Sequence, residues 1–488
     1  MSGITRRGLM QLGAGAAAWA WAGSRAAYAA ESGGAAAPAT GPLAGYDFGL
    51  SAVGKIKPRP AAAIAASPLG VGFETLDRRH FDPEKTYPFM AQLGVKWARC
   101  QTGWGRTETK KGEFDFKWLD DIVDSLRRIG VQPWFNLGYG NQLYTPEAPD
   151  EAAVGWAPVF TDEAKAAWLR YTARIAEHFA DRVAVWEIWN EPNITNFWKP
   201  SKPSAADYAA LVKATVPEIR KRIPKAVIVG AALAGTPADF LKGCMEAGLG
   251  DVVDKISYHP YRAVPEAGYE KDIRALRDVI AKHKPGLALW QGENGAPSVK
   301  GGAGALANAE WNEERQAKWL LRRILSDLRL GIELTSYFLI VDLVGYRGST
   351  NYKGLLRGTD YTPKPSYFAY QHTCALFDAE TKRTDLAVRA EDAEAEKIVT
   401  AVFARQGRPV YLYWYPADLM KDWTVRKVGL RAAAGPDLRL EKPVLADPLT
   451  GKVYTLEAPK KDGDAYVFTG LPLADYPLLV TDAAVVGA

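Results

Sequence analysis

From residue 68 onward, short apolar runs alternate with longer stretches in which apolar residues recur every three or four positions. The short runs, at 69–73, 95–99, 132–137, 183–189, 226–231, 255–258, 287–291 and 334–340, have the length and content of buried strands. The stretches between them, near 84–92, 117–129, 161–179, 204–222, 237–247, 266–284 and 307–329, have the period of amphipathic helices. In 117–129, for example, Leu119, Ile122, Val123, Leu126 and Ile129 form one face, and Gly130 supplies the stop. Eight strands with intervening helices predict an α/β fold, a (β/α)₈ barrel rather than an open doubly wound sheet. No Gly-x-Gly-x-x-Gly follows the first strand and no P-loop occurs, which argues against a nucleotide-binding fold.

The pattern changes after about residue 382. Strand-like runs at 397–404, 409–415, 423–430 and 466–468 follow one another, joined by Gly, Asp and Pro, as in an all-β sandwich. The expected domains are therefore a catalytic barrel over 68–381 and a sandwich over 382–488, the latter read as a scaffold packed on the barrel. Residues 31–67 are rich in Ala, Gly and Pro and read as a linker. Residues 1–30 begin Thr5-Arg6-Arg7-Gly8-Leu9-Met10, continue as a mild Ala/Gly-rich apolar run and end in Ala27-Tyr28-Ala29. That is the pattern of a twin-arginine export signal, so the mature protein is expected to be periplasmic or secreted, with no membrane span. Three cysteines, Cys100, Cys244 and Cys374, imply no disulfide framework.

Composition adds two constraints. The formal charge is +5, and removal of Arg6, Arg7 and Arg25 with the leader leaves about +2, which gives no electrostatic reason to expect nucleic acid. The 16 tryptophans and 22 tyrosines favour a carbohydrate ligand, because aromatic faces stack on the C–H faces of sugar rings; a large aromatic core is the plainer explanation.

Two hexapeptides carry the chemistry. Ile188-Trp189-Asn190-Glu191-Pro192-Asn193 and Trp290-Gln291-Gly292-Glu293-Asn294-Gly295 each place a glutamate where an apolar run gives way to a polar turn. In a (β/α)₈ barrel these are the C-terminal ends of strands four and seven, where active sites lie. A pair of carboxylates, one a neutral acid and the other ionised, is what cleavage of a glycosidic bond needs. In this setting the chain resembles the retaining glycoside hydrolases of clan A. Within that clan it most resembles family 39, with its β-xylosidases and exopolysaccharide glycosidases. The phrases Gly94-Val95-Lys96-Trp97-Ala98-Arg99 and Ser257-Tyr258-His259-Pro260-Tyr261 support that placement.

The resemblance implies a TIM-barrel glycosidase acting on an oligo- or polysaccharide, with Glu191 as acid/base, Glu293 as nucleophile and Asn190 beside the acid. Arg99 is expected to hold Glu293 charged through a bidentate hydrogen bond, and Tyr261 to donate to the same carboxylate. Burial and the nearby Glu293 charge are expected to raise the pKa of Glu191. Asn190 is placed to bond the sugar 2-hydroxyl, and His259 either orients Glu191 or bonds a substrate hydroxyl. Glu187 shares strand parity with Glu191 and is expected to be a satisfied interior carboxylate, the main rival for the acid. Substrate contacts are expected from Glu74, Trp104, Asn136, Tyr139, Asn141, Tyr144 and Asp342. The tryptophan that many clan A enzymes carry at the end of strand eight is absent from Tyr337-Phe338-Leu339-Ile340-Val341-Asp342.

The mechanism requires no cofactor, and the five histidines fall in no metal-binding motif. A retaining mechanism predicts Glu191 and Glu293 carboxyls roughly 5–5.5 Å apart. A catalytically silent polysaccharide-binding protein and a transglycosylase remain as alternatives on the same barrel. The sequence does not set the oligomeric state.

Overall fold

The computed structural model describes residues 41–487. The predicted leader and the start of the linker lie outside the described residues. After a first short strand, β1 (Ala52–Lys55), eight strands close into a parallel barrel. They are β2 (Leu69–Gly72), β3 (Trp97–Gln101), β4 (Gln132–Leu137), β5 (Val185–Ile188), β6 (Val227–Ala234), β7 (Lys255–His259), β8 (Ala288–Gln291) and β9 (Leu334–Tyr337). All seven predicted helices form, within a few residues of their expected bounds, apart from a later start for Glu313–Arg329. The eighth barrel helix, Pro365–Leu376, has no counterpart among the predicted ones. Eleven of its twelve residues are buried, so it carries no polar face for periodicity to reveal. Tyr370 donates to the carbonyl of Gly70 in β2, and His372 Nδ1 lies 2.9 Å from the carbonyl of Pro448 in the C-terminal domain.

That domain is all-β. Strands β12 (Thr381–Arg383), β14 (Val399–Arg405), β15 (Arg408–Trp414), β17 (Pro443–Ala446), β18 (Lys452–Thr455) and β21 (Leu478–Asp482) form one antiparallel sheet, with β1 pairing at its edge beside β18. Strands β13 (Val388–Glu391), β16 (Arg426–Ala433), β19 (Lys460–Asp462) and β20 (Ala465–Leu473) form the other. A hairpin of β10 (Leu343–Tyr346) and β11 (Ser349–Asn351) lies in the loop after β9. The stretch read as a linker thus contributes an edge strand, because the alternation in so short a segment is hidden among its Ala, Gly and Pro. The helix Glu313–Arg329 joins the domains: Arg322 pairs with Glu266 and donates to the carbonyl of Ala417, and Lys318 pairs with Asp475.

The barrel interior is layered by the two-residue period of its strands. Trp134, Val185, Val229, Trp290 and Leu334 fill an apolar layer, with Trp97 packed against it. Trp134 and Trp290 meet edge-on at 5.1 Å. Two residues further along the same strands stand Arg99, Asn136, Glu187, Gly292 and Ser336. The change from a dry floor to this polar layer marks where the site begins.

Candidate active site

Arg99 is the centre of the polar layer. It is fully buried and extends over the Trp134 ring, 5.8 Å from the ring centre. Its Nε donates to Glu187 Oε2 at 2.7 Å, its Nη2 to Asn190 Oδ1 at 2.8 Å, and its Nη1 to both Glu293 Oε2 at 2.9 Å and Glu74 Oε1 at 3.2 Å. The expected bidentate grip on Glu293 is therefore corrected. One guanidinium with five donors is divided among four acceptors, and Glu293 receives a single bond from it. Tyr261 supplies the second bond to Glu293, to Oε1 at 2.8 Å. Burial and the adjacent Glu293 charge push the Tyr261 phenol well up, so it stays a donor.

Glu191 is set by a strained turn and a bulge. Both Trp189 (φ 68°) and Glu191 (φ 48°) lie in the left-handed region, where a non-glycine residue costs energy. Strand β6 bulges opposite, between Gly230 and Leu233, and the carbonyl of Ala232 accepts from the Glu191 amide at 2.8 Å. The Tyr208 hydroxyl ties both sides together, donating to Ile188 O and accepting from Ala231 N. Asn193 locks the turn through two bonds to the backbone of Ala234. No periodicity points to Tyr208 or Asn193; only the Asn-rich turn hints at the second.

The carboxyl of Glu191 lies 2.9 Å from His259 Nδ1, and the same nitrogen is 4.0 Å from Glu293 Oε2. His259 thus orients Glu191. Burial raises the Glu191 pKa to about 7, opposed by Arg99 and Arg347. The expected contribution from Glu293 is corrected: it is not among the groups that raise Glu191, and its charge is engaged by Arg99 and Tyr261. Burial draws His259 down to about 4, so its ring is neutral. Glu74 is pushed up to about 8 by burial, against the Arg99 charge. Glu187 is fully buried, with Oε2 shared between Arg99 and Asn136 and Oε1 without a hydrogen-bond partner among the described residues, so the interior carboxylate expected there is only half satisfied. Lys353, in the loop after β9, is buried beside the site, and burial lowers its ammonium pKa to about 8.

The residues expected to touch substrate each have partners within the protein. Trp104 is fully buried, stacked on Tyr144 and Tyr171, and its Nε1 donates to Glu108. Tyr144 donates to the same carboxylate, and Asn141 donates to the Glu108 carbonyl. Asp342 is sealed in an ion pair with Lys364 at 2.6 Å and accepts from the Gly354 amide. Asn136 bonds Glu187 and the Trp189 carbonyl. Tyr139 stacks on Phe197 and accepts from Gln101, and Glu74 supports Arg99. All seven are at most 5% exposed, and each is engaged by other groups of the protein. Their place after a strand end was readable; whether they face the cleft or pack back beneath it was not.

Glu191, His259 and Glu293 bring one ligand atom each within 4.8 Å of one another, close enough to hold a cation. The Arg99 guanidinium, 2.9 Å from Glu293, already supplies positive charge there and would repel one.

The architecture defines the class first: a (β/α)₈ barrel with a C-terminal all-β domain and a glutamate pair, Glu191 buried and Glu293 partly so, at the ends of β5 and β8. The model of glycosyl hydrolases family 39 matches residues 92–288, which carry Arg99, Glu191 and His259. A β-xylosidase from Geobacillus stearothermophilus is 28% identical over 162 residues, covering 30% of this chain and 31% of that protein. A β-glucosidase 1B from Phanerodontia chrysosporium is 30% identical over 109 residues, covering 21% of this chain and 19% of that protein. The chain spans less than a third of the length of the curated relatives it matches. Among solved structures, a family 39 glycoside hydrolase from Bacteroides cellulosilyticus has a TM-score of 0.62 at 20% identity, over 87% of this chain and 81% of that one. A monomeric β-xylosidase from Caulobacter crescentus has a TM-score of 0.59 at 16% identity, over 86% of this chain and 97% of that one. The structural likenesses are of fold. With the family match, they bear out the resemblance read from the motifs: the barrel is similar to those of family 39 glycoside hydrolases. Among the described residues, no helix is long and apolar enough to cross a membrane.

Proposed function

We propose that this chain is a retaining glycoside hydrolase that acts on a β-linked oligo- or polysaccharide, with a β-xyloside the first candidate from its β-xylosidase relative. The supporting observation is that Glu191 and Glu293 carboxylate oxygens lie within 4.8 Å of each other in unlike surroundings. An inverting pair stands roughly 6.5–9.5 Å apart, to leave room for a water.

Glu293, held by Arg99 and Tyr261, attacks the anomeric carbon. Glu191, protonated below about pH 7, gives its proton to the departing oxygen as the glycosidic bond breaks. The intermediate is a glycosyl ester of Glu293. A water then attacks the same carbon, Glu191 takes its proton, and the Glu293 carboxylate leaves. Asn190 has its Oδ1 committed to Arg99, which leaves Nδ2 to meet the sugar 2-hydroxyl.

The test is hydrolysis of a panel of aryl glycosides and polysaccharides by wild type and Glu293→Ala, with and without azide. Retention through Glu293 requires that azide rescue the variant and yield a glycosyl azide of inverted configuration. Binding of a polysaccharide without cleavage of any panel member would favour the silent binding protein instead. The Thr5-Arg6-Arg7 leader is part of the same proposal and makes the enzyme an exported one. Arg6→Lys with Arg7→Lys should then hold the protein in the cytoplasm, as fractionation would show.

A further inference from the structure

We propose that a water molecule binds inside the barrel above Gly292, held by Ser257, Glu187 and His259, and that it fixes His259 as the tautomer whose Nδ1–H donates to Glu191. Three fully buried side chains point polar atoms into one small space. Ser257 Oγ, Glu187 Oε1 and His259 Nε2 have no hydrogen-bond partner among the described residues. A methyl group on Gly292 would stand 2.3 Å from Ser257 Oγ and 3.3 Å from both of the others. Glycine at this position is therefore what opens the space on which they converge. Buried waters characteristically sit where about three otherwise unsatisfied polar atoms meet.

Counting hydrogens assigns the directions. Glu187 is ion-paired with Arg99 through Oε2, so its Oε1 only accepts. The water donates one hydrogen to Glu187 Oε1 and the other to His259 Nε2, and accepts from the Ser257 hydroxyl. Every hydrogen is then used. With the opposite tautomer, the water must accept from Nε2–H. One hydrogen, on the water or on Ser257, is then left with no acceptor. The charged and titratable groups around His259 are Glu191, Glu293, Arg99 and Glu187, and in their midst burial keeps the ring neutral. Its single hydrogen therefore sits on Nδ1, 2.9 Å from Glu191 Oε1.

The consequence for the reaction rests on the acid role of Glu191. With Oε1 accepting from His259, the transferable proton resides on Oε2, free to reach the leaving oxygen. The same donor then steadies the carboxylate once that proton has gone. Ser257 and Glu187 act through His259 and are positioning residues.

The test does not need turnover, so it can fail separately from the glycosidase reading. The full chain labelled with ¹⁵N-histidine is examined by multiple-bond ¹⁵N–¹H correlation, with His259 assigned by the signal lost in His259→Gln. The expected result is a protonated Nδ1 and a bare Nε2; a protonated Nε2 overturns the proposal. A high-resolution crystal structure should show solvent density within hydrogen-bond reach of all three atoms. Its absence, or a direct Glu187–His259 bond, overturns it equally. In the double variant Ser257→Ala with Gly292→Ala, methyl groups take the water's place and the donor to Glu191 is no longer held. The basic limb of the pH–rate profile should move to higher pH. A loss of rate with an unmoved limb would mean that the site only supports the fold.

Discussion

His259 Nδ1 stands 2.9 Å from Glu191 Oε1, with the imidazole fully buried and the carboxyl close to it. A neutral imidazole can donate to a carboxyl in either protonation state, so it need not move when the proton leaves. The environment that makes Glu191 a weak acid thus also keeps it aimed, and this has measurable consequences.

The first concerns leaving groups. Without an acid, bond cleavage depends on how well the departing oxygen carries negative charge. Glu191→Gln should lose about 10²–10⁴-fold in kcat/KM on alkyl or sugar leaving groups. On a nitrophenyl glycoside, whose leaving group needs no proton, the loss in the first step should be far smaller. A Brønsted plot of rate against leaving-group pKa should steepen in the variant; an unchanged slope would show that Glu191 is not the acid.

The second concerns pH. Glu191 must hold its proton, and burial places its pKa at about 7. For a poor leaving group, kcat/KM should fall about tenfold per pH unit above that point. The limb should vanish in Glu191→Gln. Rate measurements between pH 5 and 9 on the free-substrate regime check both statements.

The same shift affects stability, with a definite sign. Between the ordinary value of 4.5 and about 7, the folded chain keeps a proton on Glu191 that the unfolded chain has lost. Stability contributed by this residue is complete below that window and declines as pH rises through it. Glu191→Gln has no charge to bury, so at pH 8 it should be more stable than wild type, by at most about 3 kcal/mol. At pH 4 the difference should close. Denaturant unfolding at the two pH values reads it directly.

Much of this was legible in the chain because it rests on period. Strand β4 was readable to its exact bounds, since 132–137 is a short, mostly apolar run between Gly130 and Gly138. Glu191 and Glu293 were legible because each ends such a run. Parity also placed Glu187 in the interior, two residues above Val185 of the apolar floor. The helix Pro365–Leu376 was not legible, because it is covered on all sides and has no face. Nor was the division of Arg99 among four acceptors, since Glu74, Glu187, Asn190 and Glu293 meet only in space. The partners of the seven expected sugar contacts were not legible for a related reason: position after a strand does not fix rotamer.

Arg99 should prove as much a structural residue as a catalytic one. Arg99→Met would leave Glu74, Glu187 and Glu293 without their buried cation. Removal of one partner from a buried pair typically costs about 3–5 kcal/mol. Thermal unfolding near neutral pH should show a loss of that order. Lowering the pH, which lets the stranded carboxylates protonate, should recover part of it; a loss indifferent to pH would point to packing alone.

Trp104 tests the distinction between lining a cleft and supporting one. It is fully buried against Tyr144, Tyr171 and Trp168, and its indole N–H is taken by Glu108. Trp104→Ala should therefore cost about 3–5 kcal/mol of stability, the range for a large aromatic removed from a core. Trp104→Phe keeps the stacking but strips a donor from a buried carboxylate, so it should still cost about 1–3 kcal/mol. Neither change removes a sugar contact. At a temperature where the variants remain folded, KM for the best panel substrate should stay within about threefold of wild type. A Trp104→Phe protein with wild-type stability and a KM raised well beyond that range would return Trp104 to the cleft, where its place after β3 first suggested it belonged.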